Sequence, residues 1–470
     1  MLKLYNTLGK EKQDFKPLDK NVVGLYACGP TVYDFVHIGN LRTYIFEDIL
    51  RRVLEYNRYN VRHIINITDV GHLVSDADSG EDKMLKALIR EGKELNEESM
   101  LDIADYYTQA FKNDLQALNI KEPVVWCKAT EHIQEQIDMV KKLLENGYAY
   151  ETDTAVYFDT AKLKEYGELA NLDLEGQQAG ISVEKRSDKK NPHDFALWLK
   201  LVGEHKKHIM NWDSPWGKGF PGWHIECSAM SIKYLDERFD IHCGGIDHIG
   251  LHHTNERAQN IGAFGHPVVN FWMHGGFLTM KADKMSKSKH NFITLQELEK
   301  QGYSPLSYRY LCLNAHYRSY LTFSFEALKN SQNALNNLFK EIRKLKKLSA
   351  VKIMESRAAK DFKNEFLEII NNDLNMPQAL ALMWKLVKTE MVDSKEKYNI
   401  LLDFDNVLGL GFDDIGAEDI KIPKKVKILA EKRDKYRQEG DFEKADFIRK
   451  EIESMGYRVE DTDKGTIIIP

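Results

Sequence analysis

Val22 to Ala27 is a short apolar run that closes on Cys28-Gly29-Pro30, the pattern of a buried strand leading into a turn. From Leu41 to Tyr56 the apolar positions fall at Leu41, Tyr44, Ile45, Ile49 and Val53, which is helical spacing. Val61 to Thr68 is rich in branched side chains and reads as the next strand. Strand, helix and strand in that order make a βαβ unit, so the expectation is an α/β fold with a Rossmann-type parallel sheet. Phe239 to Cys243 and Val268 to Phe271 read as further short strands, each followed by a Gly-containing turn. Between about residues 121 and 213 the pattern turns irregular, as expected of an insertion into the α/β core. After Ser304-Pro305 the chain reads as helical to about Leu410, and Ile422-Pro423 as a linker. A charged helical hairpin (residues 424–455) and a short strand pair ending at 466–469 close the chain. The domains expected are therefore 1–303, 304–410 and 411–470.

Composition narrows the class. A chain of 470 residues, 43% of them hydrophobic, can bury a large core. It has no apolar run near the eighteen or so residues a membrane span needs. Residues 1–20 lack the apolar stretch of a signal peptide, so a cytoplasmic protein with no membrane partner is expected. Five scattered cysteines do not make a disulfide framework. The net charge of −6 argues against a surface that coats nucleic acid everywhere. Residues 421–450, however, carry eleven Lys/Arg against six Asp/Glu, a local basic excess that suits either a nucleic-acid partner or a solvated helix.

Two segments offer phosphate chemistry. His37-Ile38-Gly39-Asn40 lies where the first strand hands over to the first helix. There, free backbone N–H groups and the helix dipole favour an anion, and Gly39 allows close approach. The same four residues can also serve simply as a helix cap. Lys284-Met285-Ser286-Lys287-Ser288 puts two cations and two hydroxyls on one loop, able to neutralise charge building on a departing pyrophosphate. Taken in order on either side of an α/β core, the two resemble the paired HIGH and KMSKS signatures of class I aminoacyl-tRNA synthetases. Asn40 stands where the first signature ends in histidine. The resemblance implies ATP binding by His37, Gly39, Asn40, Lys284, Ser286 and Lys287, with Mg2+ accompanying the nucleotide. His37 and Asn40 would hold phosphates, and Lys284 and Lys287 the transition-state charge.

Cys28 ends the first strand, Cys227 lies in Pro221-Gly222-Trp223-His224-Ile225-Glu226-Cys227, and His252 and Glu256 are one helical turn apart. Two thiolates, an imidazole and a carboxylate make a four-coordinate zinc set; small core cysteines beside a helix-surface hydrogen bond would look the same. Within class I the chain resembles the cysteinyl-tRNA synthetases, most specifically in residues 26–40 (YACGPTVYDFVHIGN), Asn66-Ile67-Thr68-Asp69, residues 221–230 (PGWHIECSAM) and the pairs His252-His253 and Asn255-Glu256. The resemblance implies one Zn2+ held by Cys28, Cys227, His252 and Glu256. It implies an amino-acid pocket shaped by Gly29, Thr31, Thr68, Trp223, His242 and Asp247. Residues 243–248 (CGGIDH) depart from the commoner family pattern and make Cys243 and His248 rival ligands. Thr254 and Val70-Gly71-His72 are further departures.

The family's reaction follows as an expectation: L-cysteine is activated by ATP and passed to the 3′ end of tRNA(Cys) by a monomer. Asp373 to Leu380 (DLNMPQAL) resembles the motif of the family's helical bundle, and residues 433–470 its anticodon-binding domain. In the latter, Arg437, Phe442, Asp446 and Asp461 match positions that contact anticodon bases. A guanidinium and an aromatic ring suit unstacked bases, and carboxylates accept from base amino groups. Two rival readings remain at this point. One is a mycothiol-pathway ligase that joins cysteine to an amino sugar; the other is a catalytically dead paralogue acting as an RNA-binding scaffold.

Overall fold

The computed structural model describes residues 1–70, 82–171, 188–280, 283–284, 292–348, 356–413, 415, 424–454, 457–462 and 465–469. The chain divides into two compact units, Met1–Phe412 and Asp413–Pro470.

The first unit is built on five parallel strands: β1 (Val23–Ala27), β2 (Val61–Ile67), β3 (Val125–Lys128), β4 (Phe239–Gly245) and β5 (Val269–Gly275). Their order across the sheet is β5-β4-β1-β2-β3. All five residues of β1 and all seven of β4 are buried, as expected of central strands covered on both faces. The order reverses between β1 and β4, and in such sheets ligands sit outside the carboxyl ends of the strands at that switch point. Three helices bound this crevice: α1 (Ile38–Tyr56), α2 (Trp223–Leu235) and α3 (His252–Phe264).

The irregular region expected over 121–213 is divided. Residues Val125–Lys128 pair in parallel with β2 and belong to the main sheet. The inserted piece is a separate four-stranded antiparallel sheet of Ala149–Glu151, Ala155–Phe158, Phe195–Lys200 and Gly219–Pro221. Its core of Val156, Phe158, Leu197 and Trp198 packs on Ile225 and Ala229 of α2 and on Ala258 of α3. The insertion thus rests on α2 and α3, two of the three helices that bound the crevice.

Residues 304–410 are not set apart from this unit. Arg309, fully buried on the helix Pro305–Leu313, reaches Asp48 of α1 at 2.6 Å and donates to the carbonyls of Leu408 and Leu118. Arg52 donates to the same Asp48 oxygen at 2.7 Å. Opposite charges and the Lys121 N–H hold Asp48 below the usual carboxylate range even though burial opposes it. A second hub is Asp373, which accepts from the Tyr5 N–H, the Tyr317 hydroxyl and two nitrogens of Arg318. Those bonds hold Asp373 and Leu374 at positive φ (59° and 55°), a turn that L residues rarely adopt unaided, just before the helix Met376–Lys388.

The second unit contains two helices, Lys424–Gln438 and Phe442–Ser454, and the antiparallel strands Arg458–Thr462 and Gly465–Ile469. Val426, Ala430, Ile448, Ile452 and Val459 form its core.

Candidate active site and metal centre

The carboxyl end of β1 delivers Cys28 into the crevice, where the Cys28 N–H donates to the Cys243 carbonyl of β4 at 3.2 Å. Cys227 arrives from α2, and His252 and Glu256 from one face of α3. All four are buried, and one ligand atom from each lies within 4.8 Å of the other three. Cys28 Sγ is 3.9 Å from Cys227 Sγ and 3.9 Å from Glu256 Oε1, while His252 Nε2 is 3.0 Å from that same oxygen. The residues brought together from 28, 227, 252 and 256 therefore converge on one point.

Burial dominates the electrostatics of the cluster. Burial pushes the Cys28 thiol up, with neighbouring Cys227 adding to it, and raises the Glu256 carboxyl well above its ordinary range. Glu256 Oε2 and His242 Nδ1 have no hydrogen-bond partner among the described residues. Four convergent N, O and S donors buried beyond water, with no cationic side chain among them, fit a divalent cation that favours thiolate and imidazole, as zinc does.

A second set overlaps the first: Cys28, His242, His253 and Glu256 are equally close together. His253 Nε2 is 3.2 Å from Cys28 Sγ, and His242 Nε2 is 3.5 Å from Cys28 Sγ and from Glu256 Oε2. Behind them runs a buried file of polar contacts. His253 Nδ1 meets His274 Nε2 at 2.8 Å, His274 Nδ1 meets Thr7 Oγ1 at 2.7 Å, and His252 Nδ1 meets His224 Nδ1 at 2.9 Å. Burial holds His274 down to about 3 and His242 and His253 well below the usual imidazole range. They are neutral rings; His253 turns Nε2 to Cys28 and Nδ1 to His274, whose other nitrogen reaches Thr7.

Cys243 and His248, the rival ligands, belong to neither set found among the described residues. Cys243 is an inward residue of β4 whose thiol is raised by burial and by nearby Glu47. The ring of His248 lies beside His252 and His253, with centroids 5.2 and 5.0 Å away. His253 and His224 stand in motifs of the sequence without a role assigned to them there, and His274 was not singled out. A histidine inside an otherwise apolar strand, as in Trp272-Met273-His274, was the available signal.

The residues that the resemblance assigns to an amino-acid pocket lie on or near the ends of β1, β2 and β4 and at the start of α2. The Gly29 N–H donates to Asn66 Oδ1 at 2.8 Å, and a Cβ on Gly29 would fall 1.6 Å from the Asn66 carbonyl oxygen, so only glycine fits. Thr31 and Thr68 are bridged in parallel, and Thr68 Oγ1 donates to buried Glu226 Oε2 at 2.9 Å. The Trp223 ring lies 4.6 Å from the His252 ring. A Cβ on Gly245 would come within 2.4 Å of Asp247 Oδ1, which places the Asp247 carboxylate against the end of β4.

His37 and Asn40 are both at the start of α1, where they form a reciprocal capping box. The Asn40 N–H donates to His37 Nδ1 at 3.1 Å, and the His37 N–H donates to Asn40 Oδ1 at 3.3 Å. The cap and the phosphate readings thus share the same atoms. A Cβ on Gly39 would touch the His37 ring at 2.9 Å. Lys284 lies on the short strand Asp283–Lys284, whose backbone pairs with Thr279 and Met280. Ser286 and Lys287 lie outside the described residues. In the second unit Arg437 and Asp446 are exposed, Phe442 is 61% exposed and Asp461 lies on the strand Arg458–Thr462. Phe447, 71% exposed on the same helix as Phe442, was not singled out by the sequence.

The fold has a counterpart in known proteins. Residues 14–333 match the family described as tRNA synthetases class I (C) catalytic domain, and the chain belongs to that family. Within it, the chain is 50% identical over 465 residues to the Cysteine--tRNA ligase 1 of Burkholderia lata, covering 99% of this chain and 96% of that protein. It is 45% identical to the Cysteine--tRNA ligase of Treponema denticola, with 98% of each covered. Among solved structures, the fold is similar to Mycobacterium tuberculosis methionyl-tRNA synthetase in complex with methionyl-adenylate, at TM-score 0.56 and 15% identity. That match covers 84% of this chain and 93% of the other. A LeuRS from Agrobacterium radiobacter K84 in a ternary complex matches at TM-score 0.60 and 10% identity, covering 86% and 85%.

Proposed function

We propose that this chain is a cysteine–tRNA ligase that activates L-cysteine with ATP and transfers it to tRNA(Cys). The observation that carries the reading is the convergence of buried Cys28, Cys227, His252 and Glu256 at the switch point of the sheet. Relatives matched over nearly the full length, including the second unit, are named cysteine--tRNA ligase, which disfavours an amino-sugar acceptor. Intact ligand and motif residues speak against a catalytically dead scaffold.

In the first step a carboxylate oxygen of cysteine attacks the α-phosphorus of Mg2+-bound ATP. The new P–O bond forms as the bond to the bridging oxygen breaks, and pyrophosphate leaves. In the second, the terminal 2′-hydroxyl of tRNA attacks the aminoacyl carbonyl, and AMP departs. No side chain acts as nucleophile, so placement and charge supply the rate. The N–H groups opening α1, with His37, Gly39 and Asn40, hold phosphates, and Lys284, Ser286 and Lys287 take up the charge that develops on the pyrophosphate. Cys28, Cys227, His252 and Glu256 would hold a zinc ion, whose preference for sulfur over a hydroxyl supplies discrimination against serine. Gly29, Thr31, Thr68, Trp223, His242 and Asp247 enclose the amino acid. Arg437, Phe442, Asp446 and Asp461 present stacking and hydrogen-bonding groups to anticodon bases. A monomer working in the cytoplasm completes the proposal; among the described residues no helix is long and apolar enough to cross a membrane.

Cysteine-dependent ATP–pyrophosphate exchange, run with serine in parallel and after zinc chelation, tests the reading. Exchange with cysteine alone that disappears on chelation is expected. Equal exchange with serine, or exchange indifferent to the chelator, overturns the metal assignment. Tests of AMP release with tRNA and with an amino sugar identify the acceptor.

A further inference from the structure

The corner Asp82-Lys83 belongs to none of the motifs above, yet it touches the wall of the pocket. Asp82 is the N-cap of the helix Lys83–Glu91, accepting from the N–H groups of Met84 at 2.7 Å and Leu85 at 3.3 Å. Its other oxygen lies 3.3 Å from His208 Nε2, on a ring stacked upon Phe220 of the inserted sheet. Lys83, the first residue of that helix, extends its ammonium over the Trp223 indole, 5.0 Å from the ring centroid. Trp223 is 140 positions away in sequence, at the first turn of α2, and its ring also lies beside those of His224 and His252.

A lysine at the first helical position is unfavourable, because its charge adds to the positive end of the helix dipole. Asp82 offsets part of that cost, and the aromatic face of Trp223 offers the cation an attractive partner. The indole thus has an ammonium 5.0 Å and the ring of a metal-ligand candidate 4.6 Å from its centroid. An indole free to change rotamer would leave the pocket wall undefined; a cation above it selects one orientation.

We propose that Lys83 is a positioning residue that fixes Trp223 as the wall of the cysteine pocket and so contributes to the affinity for the amino acid. The inference rests on the cysteine-activating reading above. Its test is steady-state pyrophosphate exchange with the full chain. Lys83→Met keeps the aliphatic stem and removes the charge; Lys83→Arg keeps a cation. The expected result for Lys83→Met is a rise of about three- to tenfold in KM for cysteine, the range a partly solvated cation–π contact supports. KM for ATP, kcat and zinc content should stay within about twofold. Lys83→Arg should restore KM for cysteine, and in a Trp223→Leu background Lys83→Met should have no further effect. An unchanged KM for cysteine, a parallel rise in KM for ATP, no rescue by arginine, or the same penalty in the Trp223→Leu background would each overturn the proposal. Lys83→Gln carries the same test should the methionine variant misfold. A wild-type chain that shows no cysteine-dependent exchange refutes the underlying reading, whereas an active wild type with an unaltered Lys83→Met refutes this inference alone.

Discussion

Gly29→Ala is the sharpest perturbation the structure offers. Gly29 follows Cys28 directly, and its N–H is bonded to the side chain of Asn66 while the main chains pass in close contact. A methyl at this position would lie 1.6 Å from the Asn66 carbonyl oxygen and 2.7 Å from its carbon. Both are rigid backbone atoms, so no side-chain rotation relieves the clash. To restore van der Waals separation, the two segments would have to part by roughly 1.5 Å or more. That movement breaks the Gly29–Asn66 bond, strains the Thr31–Thr68 bridge and shifts Cys28 away from Cys227 and Glu256. Misplacement of about 1 Å in an oriented site costs on the order of 10²-fold in rate. The expected outcome is therefore a loss of at least about 100-fold in kcat/KM for cysteine-dependent exchange. Reduced zinc content should accompany it. Exchange assays and metal analysis on the purified variant, with circular dichroism to confirm folding, read both effects. A folded Gly29→Ala protein with activity within about threefold of wild type would refute the close-approach reasoning.

Further outcomes follow from the same atoms. Cys227→Ser replaces a thiolate donor by a poor alkoxide donor, so zinc retained after dialysis against a chelator should fall at least about tenfold, and the preference for cysteine over serine should collapse; metal analysis with wild-type retention would contradict the ligand set. Arg309→Met removes the buried cation from Asp48 and strands the Leu118 and Leu408 carbonyls, which should cost about 3–5 kcal/mol in denaturant unfolding; a loss below about 1 kcal/mol would mean the site is wetter than it looks. Glu47 is 1% exposed, and neither carboxylate oxygen has a hydrogen-bond partner among the described residues. Burial raises its folded pKa well above the ordinary carboxylate range, so the stability it permits is fully present below the unfolded pKa and is lost as pH rises toward the folded one. Glu47→Met should therefore be more stable than wild type at neutral pH by about 1–3 kcal/mol, with the gap closing as pH falls toward 4; a gap independent of pH would show that Glu47 finds a partner.

Period and punctuation in the chain were enough for the βαβ core. The runs before Cys28 and Asp69 became β1 and β2, and the spacing from Leu41 to Tyr56 became most of α1, because fully buried strands and an amphipathic helix imprint locally. The candidate ligands were legible for another reason: the segments that carry them resemble a known family. Strand pairing was not legible. Val125–Lys128 is only four residues long and looks like the insertion around it, and its membership of the main sheet depends on β2 lying beside it. Nor does spacing tell Cys243 from Cys227, since each lies in a buried element; the direction of the side chain decides which one faces Cys28. Likewise His253, Lys83 and Arg309 carry no local mark of their partners His274, Trp223 and Asp48. The residues of the chain determined which chemistry was available. Tertiary structure decided which of them meet, because sheet order and helix docking set distances that no short-range pattern encodes.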